Sequence, residues 1–346
     1  MSGAMARRSL PLALLALGIV APFALPNYQV QLTFLWIMIV FALCWDIMGG
    51  QLGYNSFGNI TFFGIGIYTA TIVQIGLFQD VASYTAAGTM TTINLTHDQY
   101  FIGLFVGLAV APVLAVAAAV LFGLALLGLR GHYFAIATLG LGIAAGELAA
   151  AWTYLGGSSG VQVPVYPGSL ESQRLLFYFL SVGLGVATFL TLRWLYGTRV
   201  GLAVNAIRDD EDKAEALGLR TTRYKIVAWC IAAFFLGIAG GLVGHVNGFI
   251  EPRGVAFNGA TYGVWMILMA ILGGRGTLWG PVIGAALFHA TNELFWKYLF
   301  GWQFVAMGVL IVIVVVFFPL GILGTLKRHY PRLFVLNASM KSGGGR

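Results

Sequence analysis

Three carboxylates, Asp46, Glu147 and Glu293, interrupt stretches of the sequence that are otherwise largely apolar. A charged side chain costs about 2.5 to 3.5 kcal/mol at the centre of a bilayer-crossing helix, so each of them should face protein or water. Glu147 and Glu293 fall near predicted outer helix ends, where they could line a solute path or simply be hydrated. Asp46 falls at an inner end, where we expect packing or a hydrogen bond near a glycine-rich turn.

A second polar group lies within a glycine-rich stretch at residues 49–66. Its members are Asn55, Ser56, Asn59 and Thr61. Hydroxyl and amide side chains can hydrogen-bond the charged groups of a zwitterionic solute, and the same side chains often join neighbouring helices. The pattern predicts a pathway element and leaves both roles open. A further glycine cluster at 273–284 is either its counterpart in the pathway or a plain packed turn.

No pattern for nucleotide or metal chemistry accompanies these residues. The sequence contains no G-x-x-x-x-G-K-[ST] phosphate cradle and no H-E-x-x-H pair. His245 and His289 each stand alone on an apolar stretch, without a second ligand at a suitable spacing. We therefore expect no catalytic residue, no metal site and no cofactor of the chain's own.

Charge is concentrated in one segment, residues 193–225. Only 9% of the chain is charged, yet this segment holds seven of the 19 Lys and Arg and five of the 12 Asp and Glu. Asp209 is a candidate N-cap with Asp212 three positions later, and Gly218 is a candidate C-terminal stop. The pattern predicts a short helix of about two turns, with a small apolar surface from Ala214, Ala216 and Leu217. A solvated connector is the alternative.

The elements that hold these residues are predicted to be membrane-spanning helices. Hydrophobic residues make up 59% of the chain, against about 45 to 50% in a soluble domain. Several runs without charge approach or exceed the roughly 20 residues that a helix needs to cross a bilayer. A β-barrel would instead show alternating segments of about ten residues. The predicted fold class is an all-α polytopic transmembrane helix bundle.

Basic residues predict how the helices are oriented. Three segments, the two termini and residues 193–225, together hold 14 of the 19 Lys and Arg, which assigns all three to the cytoplasm. We expect one transmembrane domain over 1–346, with a cytoplasmic loop at 197–224 and a cytoplasmic tail at 327–346. We also expect the first helix to be retained rather than cleaved as a signal peptide. Ten spans satisfy these assignments: 9–26, 31–48, 60–78, 101–128, 132–151, 174–195, 225–246, 257–272, 278–299 and 303–322. The third and eighth are the ones expected to be broken or re-entrant.

Residues 206–225, AIRDDEDKAEALGLRTTRYK, resemble a characteristic segment of permeases in bacterial ATP-binding-cassette importers for branched-chain amino acids. Further blocks resemble the same family in the same order. They are GGQLGYNSFGNITFFGIGIYTA at 49–70, LRGHYFAIATLGLG at 129–142, LGGSSG at 155–160, LGGRGTLWGPVIGAAL at 272–287 and VVVFFPLGILG at 314–324. The block LRGHYFAIATL is similar to that of the M-type subunit of the two unlike permeases.

The resemblance implies a coupling helix that docks on an ATPase and moves the spans. It assigns this role to Arg208, Asp209, Glu211, Ala214, Glu215, Ala216, Leu217 and Gly218. It also implies a second, unlike permease subunit, two ATP-binding subunits, a periplasmic substrate-binding protein and a place in the bacterial inner membrane. The ATP would be bound by the partners.

Two departures from the family keep the solute open. The family often has Asn at the position of Asp46, and a different pattern at residues 55–59. A branched-chain amino acid is expected, and urea, short amides or small carboxylates are the alternatives. From another class, a proton-coupled secondary transporter or a passive channel would also suit a polytopic bundle.

Overall fold

The structure is a computed structural model that describes residues 18–87, 94–299 and parts of 301–329. The described chain is almost entirely helical, with one two-stranded ribbon. Its α-helices are α1 (Gln29–Asp46), α2 (Asn59–Gly76), α3 (Val81–Ala86), α4 (His97–Leu126), α5 (Gly131–Ala151), α6 (Leu170–Tyr196), α7 (Arg199–Asp209), α8 (Glu211–Ala216), α9 (Thr221–Asn247), α10 (Val264–Gly273), α11 (Gly280–Tyr298) and α12 (Gly321–His329). The strands are β1 (Val161–Gln162) and β2 (Phe249–Ile250). A further helical stretch occupies 18–24.

Helices α2, α4 and α9 form the centre of the bundle. Their contact depends on small residues, because a Cβ atom on Gly66 would clash with the backbone of Gly237, and one on Gly240 would clash with the backbone of Phe63. Apolar side chains gain little from each other in lipid, so close backbone approach provides much of the association between helices. These glycines therefore allow the central helices to pack closely.

Helix α1 links the centre to the remaining long helices. It packs against α6, α9, α10 and α11, and its second half is buried throughout. A π-helical turn, Ile47–Gln51, extends it into the first glycine cluster. Helix α1 therefore contacts both halves of the chain.

One end of the bundle carries the charged residues of 197–224 and is called the charged end below. The other end, called the opposite end, carries α3, the 3-10 turns Thr153–Leu155 and Gly157–Ser159, and an antiparallel ribbon in which Val161 pairs with Ile250. Helix α5 begins at the charged end beside Arg130 and finishes at the opposite end. Helix α9 runs the same way and leads into β2.

Seven described helical segments are long and apolar enough to cross a membrane: Pro26–Gln51, Asn59–Gly76, His97–Leu126, Gly131–Ala151, Leu170–Tyr196, Thr221–Asn247 and Pro252–Gly273. They coincide with the second to the eighth predicted spans. The ninth corresponds to α11, which is not among the seven, and the first and tenth lie largely outside the described residues.

Of the two spans expected to be interrupted, the third and the eighth, only the eighth is broken in the structure. The third span is an unbroken helix, α2. The eighth is broken, because two π-helical turns, Pro252–Ala256 and Gly259–Gly263, precede α10. Pro252 has no N–H to donate, and the Glu251 carboxylate accepts from the backbone N–H groups of Arg253 and Gly254 that an ordinary helix start would leave free.

Candidate functional site

The coupling segment, residues 197–224, contains two helices where one was predicted. Helix α7 continues through Asp209, and Asp210 then adopts an extended conformation with φ −163° and ψ 106°. The Asp210 side chain accepts a 3.0 Å hydrogen bond from the backbone N–H of Lys213. The prediction that Asp209 caps the helix is therefore wrong by one residue, because the preceding turns of α7 hold Asp209 in helical geometry. The Lys213 ammonium, 2.9 Å from the Asp210 carboxylate, and then the Lys213 backbone N–H lower the pKa of Asp210.

Helix α8 is fixed to the bundle by Glu211, which points inward. Its carboxylate accepts from the Tyr54 hydroxyl and forms an ion pair with Lys225, whose side chain is only 2% exposed. The Lys225 ammonium also donates to the Tyr54 hydroxyl at 2.6 Å and to the Leu127 carbonyl at 3.3 Å. Burial raises the pKa of Glu211, but the hydrogen bonds from Lys225 and Tyr54 outweigh it and the net pKa is lowered.

Arg130, at the start of α5, holds the other side of α8. Its guanidinium lies 2.6 Å from Asp212, 3.7 Å from Glu211 and 3.6 Å from Glu215. Glu215 also accepts a 2.6 Å bond from the hydroxyl of Thr221, the first residue of α9.

The bond to Asp212 and the surrounding carboxylates raise the pKa of Arg130. Tyr54, Arg130, Glu211 and Lys225 are called the anchor cluster below.

The C-terminal end of α8 has a small apolar surface, which lies beside the exposed charged side chains of Asp212 and Lys213. Leu217 is 84% exposed, Ala216 is exposed, and Gly218 ends the helix with φ +85°. The predicted stop at Gly218 is confirmed. Ala214 is only 2% exposed, so its predicted place in the apolar surface is wrong, because α8 turns that position toward the bundle.

Helix α7 reaches the first glycine cluster through Arg208. The Arg208 side chain pairs with Asp209 at 3.0 Å and lies over Gly53. Asp46, at the end of α1, accepts a 2.7 Å hydrogen bond from the backbone N–H of Gly276 in the second glycine cluster. Gly276 has φ +75° and lies beside Gly50. The two clusters therefore meet at the charged end, and the expected hydrogen bond of Asp46 is confirmed.

The predicted polar group around residue 56 is mostly used inside the protein. The Ser56 hydroxyl donates to Asn59 Oδ1 at 3.1 Å, and the indole of Trp229 donates to the same oxygen at 3.3 Å. The indole of Trp45 donates to the Ser56 carbonyl at 2.8 Å. These bonds join α1, α2 and α9, so the alternative role of joining helices holds for Ser56 and Asn59.

The other two members of this group lie apart. Asn55 is exposed at the charged end. The hydroxyl of Thr61 is buried and has no hydrogen-bond partner among the described residues. Thr61 is thus the member that still offers an unused polar atom inside the bundle.

Glu147 and Glu293 both lie toward the opposite end but in different surroundings. The Glu147 carboxylate forms a bidentate ion pair with Arg253 from the broken segment, at 3.0 Å to Nε and 2.7 Å to Nη2. Glu293 lies on α11, partly buried. The two carboxylates are thus not held together by a shared contact.

Several residues of these sites were not predicted from the sequence. No sequence pattern marked Tyr54 as a candidate site residue. Lys225 stands at the start of a long charge-free run, and Arg253 stands between two such runs, at 226–250 and 254–274. An isolated basic residue at the edge of an apolar run is a detectable signal, since it needs a partner there.

Long apolar helices, with a charged two-helix segment anchored across several of them, define a multi-pass membrane protein with an exposed charged segment at one end. A family model described as the permease component of the branched-chain amino acid transport system matches residues 29–318. The chain belongs to that family.

Curated relatives agree with this assignment. The chain is 27% identical to the high-affinity branched-chain amino acid transport system permease protein LivM of Escherichia coli (strain K12), over 95% of this chain and 77% of that protein. It is 28% identical to LivM of Salmonella typhimurium, over 85% of this chain and 75% of that one. The match to LivH of Salmonella typhimurium is 28% over 45% of this chain and 51% of that protein. No solved structure matches the chain.

Proposed function

We propose that this chain is one of two unlike permease subunits of an ATP-binding-cassette importer, and that the importer takes up branched-chain amino acids. The observation that carries the proposal is the coupling segment, whose outward face is exposed while its inward face is tied to the bundle by buried charge. ATP is bound and hydrolysed by two separate subunits, so the chain needs no cofactor of its own. The names of its relatives support the choice of solute over urea, short amides and small carboxylates.

The contacts of the segment suggest how force from an ATPase reaches the spans. Ala216, Leu217 and Gly218 present the surface that the ATPase contacts, and Asp209 lies exposed nearby. Glu211 passes displacement through Lys225 into α9. Arg208 passes it toward the junction of the two glycine clusters. A movement of the segment therefore reaches α1, α5, α9 and the turn between α10 and α11 together.

The positive-inside assignment orients this arrangement. The charged end faces the cytoplasm of a bacterium, and the opposite end faces the periplasm, where a substrate-binding protein delivers the solute. Ten spans in the inner membrane place both termini on the cytoplasmic side. The other permease subunit completes the path, for which Thr61, Glu147 and Glu293 remain the candidate lining residues on this chain.

Uptake into proteoliposomes tests the proposal. The complete importer should accumulate L-leucine only with its binding protein and ATP, and omission of the ATPase subunits should abolish uptake. Uptake that persists without the ATPase and follows a proton gradient would identify a secondary transporter instead. Uptake down a concentration gradient alone would identify a channel.

A further inference from the structure

The ion pair between Glu147 and Arg253 lies on a face of α5 that is largely apolar, with the Glu251 carboxylate beside Arg253. The two side chains are 56% and 58% exposed, although Glu147 belongs to a helix whose other outward residues include Ile136, Ile143 and Leu148. An exposed charged pair on a lipid-facing surface is unfavourable, so such a pair is expected to face protein or water. The side of α5 that carries Glu147 therefore faces water or protein rather than lipid, as a residue on the solute path of the proposed importer does.

The pair retains hydrogen-bonding capacity for a further molecule. Arg253 uses its Nε and Nη2 atoms on Glu147, and a guanidinium has five N–H donors. Both N–H groups of Nη1 and one of Nη2 remain, and they form the edge that suits a carboxylate in a two-bond arrangement. The Glu147 oxygens keep lone pairs that can accept from an ammonium group.

The surface beside the pair is suited to an aliphatic side chain. Ile143 lies one helical turn before Glu147 on the same face of α5 and is 60% exposed. Around Gly140, a further turn back, nothing lies within 4 Å of the position that a side chain would occupy. A small branched group therefore has both an apolar contact and open space.

We propose that Glu147 and Arg253 bind the zwitterionic head of an α-amino acid, with its carboxylate on Arg253, its ammonium on Glu147 and its aliphatic side chain against Ile143. The inference rests on the proposed function and deepens it by naming the group that the chain recognises. The site lies about 25 Å along α5 from Arg130, so it lies toward the opposite end, from which the solute enters in the proposed function. An acid without the amino group makes only half of the polar contacts.

Charge exchange separates a binding role from a purely structural one. The single variants Glu147→Gln and Arg253→Gln should each lower uptake of L-leucine by the complete importer at least tenfold. The exchange Glu147→Arg with Arg253→Glu keeps an ion pair but reverses its direction. A binding role predicts that the exchange variant stays as inactive as the single variants, although it assembles with the other subunits as the wild type does. Glu171→Gln, an exposed carboxylate at the same end, is the matched control and should transport normally.

Protection of an introduced cysteine from labelling tests whether L-leucine occupies the site while Glu147 and Arg253 are both present. In a background without Cys44 and Cys230, Ile143→Cys should react with a membrane-impermeant maleimide, and L-leucine should slow that reaction several-fold. The analogue 4-methylpentanoate, which lacks only the amino group, should protect far less. Equal labelling with and without L-leucine, or full activity of the exchange variant, would overturn the site. A wild-type importer that transports no branched-chain amino acid would instead overturn the proposed function.

Discussion

At the scale of single residues, the anchor cluster shows what a buried charge does in this protein. Lys225 is 2% exposed and Glu211 is 12% exposed, so neither charge is stable there without the other. A buried pair of this kind adds little net stability, because desolvation offsets the attraction between the charges. Its consequence is positional, since α8 can leave α9 only by leaving the buried Lys225 ammonium without its partner.

Removing one member of the pair should be far worse than removing both. Lys225→Met leaves the Glu211 carboxylate unpaired and should cost about 3 to 5 kcal/mol. The double variant Lys225→Met with Glu211→Leu should recover much of that loss. Thermal unfolding of the purified protein in detergent measures both, with Arg223→Met, an exposed site on the same helix, as control. A double variant that loses the sum of the two single effects would contradict the buried-pair account.

The same carboxylate predicts a pH dependence. The pKa of Glu211 is lowered from its ordinary value of 4.5, so its stabilising contribution is complete above that value. The contribution is lost as pH falls below 4.5 through the folded-state value. The difference in unfolding temperature between wild type and Glu211→Gln should therefore stay constant from neutral pH down to pH 4.5, the ordinary pKa of a Glu side chain. Below that pH the difference should shrink. A difference that already shrinks between pH 7 and 6 would be inconsistent.

Asp46 stabilises the junction of the two glycine clusters through Oδ1, which accepts the hydrogen bond from the backbone N–H of Gly276. Asp46→Asn keeps an oxygen for the Gly276 N–H and should leave stability nearly unchanged. Asp46→Leu removes the acceptor and should cost about 1 to 3 kcal/mol. Unfolding curves of the two variants provide the comparison, and equal losses would show that the charge matters rather than the hydrogen bond.

At the scale of elements, the outward residues of the coupling segment are the ones that can be altered without disturbing the bundle. Its outward residues are exposed, whereas Glu211 and Ala214 are held inside. Sequence patterns located this segment and its end at Gly218. They placed the N-cap one residue early because the adjacent aspartates Asp209 and Asp210 are equivalent N-cap candidates, and only the length of α7 selects Asp210.

Leu217→Asp should separate docking from folding. The side chain is 84% exposed, so the substitution should change stability by no more than about 0.5 kcal/mol. It should nevertheless abolish co-purification with the ATPase, because a charge would replace the apolar contact. Leu170→Asp, at the opposite end with Leu170 70% exposed, is the matched control and should co-purify normally. Equal recovery of ATPase with both variants would exclude Leu217 from the interface.

At the scale of the whole molecule, the two ends differ in chemistry. One end concentrates charge in and around the coupling segment, and the other carries short turns and the ribbon. The positive-inside rule predicts that they lie on opposite sides of the membrane.

Cysteine accessibility in intact cells checks this orientation. Tyr154→Cys should react with a membrane-impermeant maleimide added from outside, because Tyr154 is 42% exposed at the opposite end. Leu217→Cys should react only after the cells are permeabilised. The reverse pattern would invert the topology, and labelling of both from outside would contradict a bilayer-spanning arrangement between them.

The sequence by itself determined the membrane class, most of the span positions, the coupling segment and the family, because apolar run length and charge placement are local properties of a chain. Tertiary structure decided which polar residues meet. Tyr54 and Lys225 are 171 positions apart, and Glu147 and Arg253 are 106 apart, and no local pattern relates such pairs. Their contacts follow from the packing of α2, α4 and α9 and from the break at Pro252, which together bring distant charges within hydrogen-bonding distance.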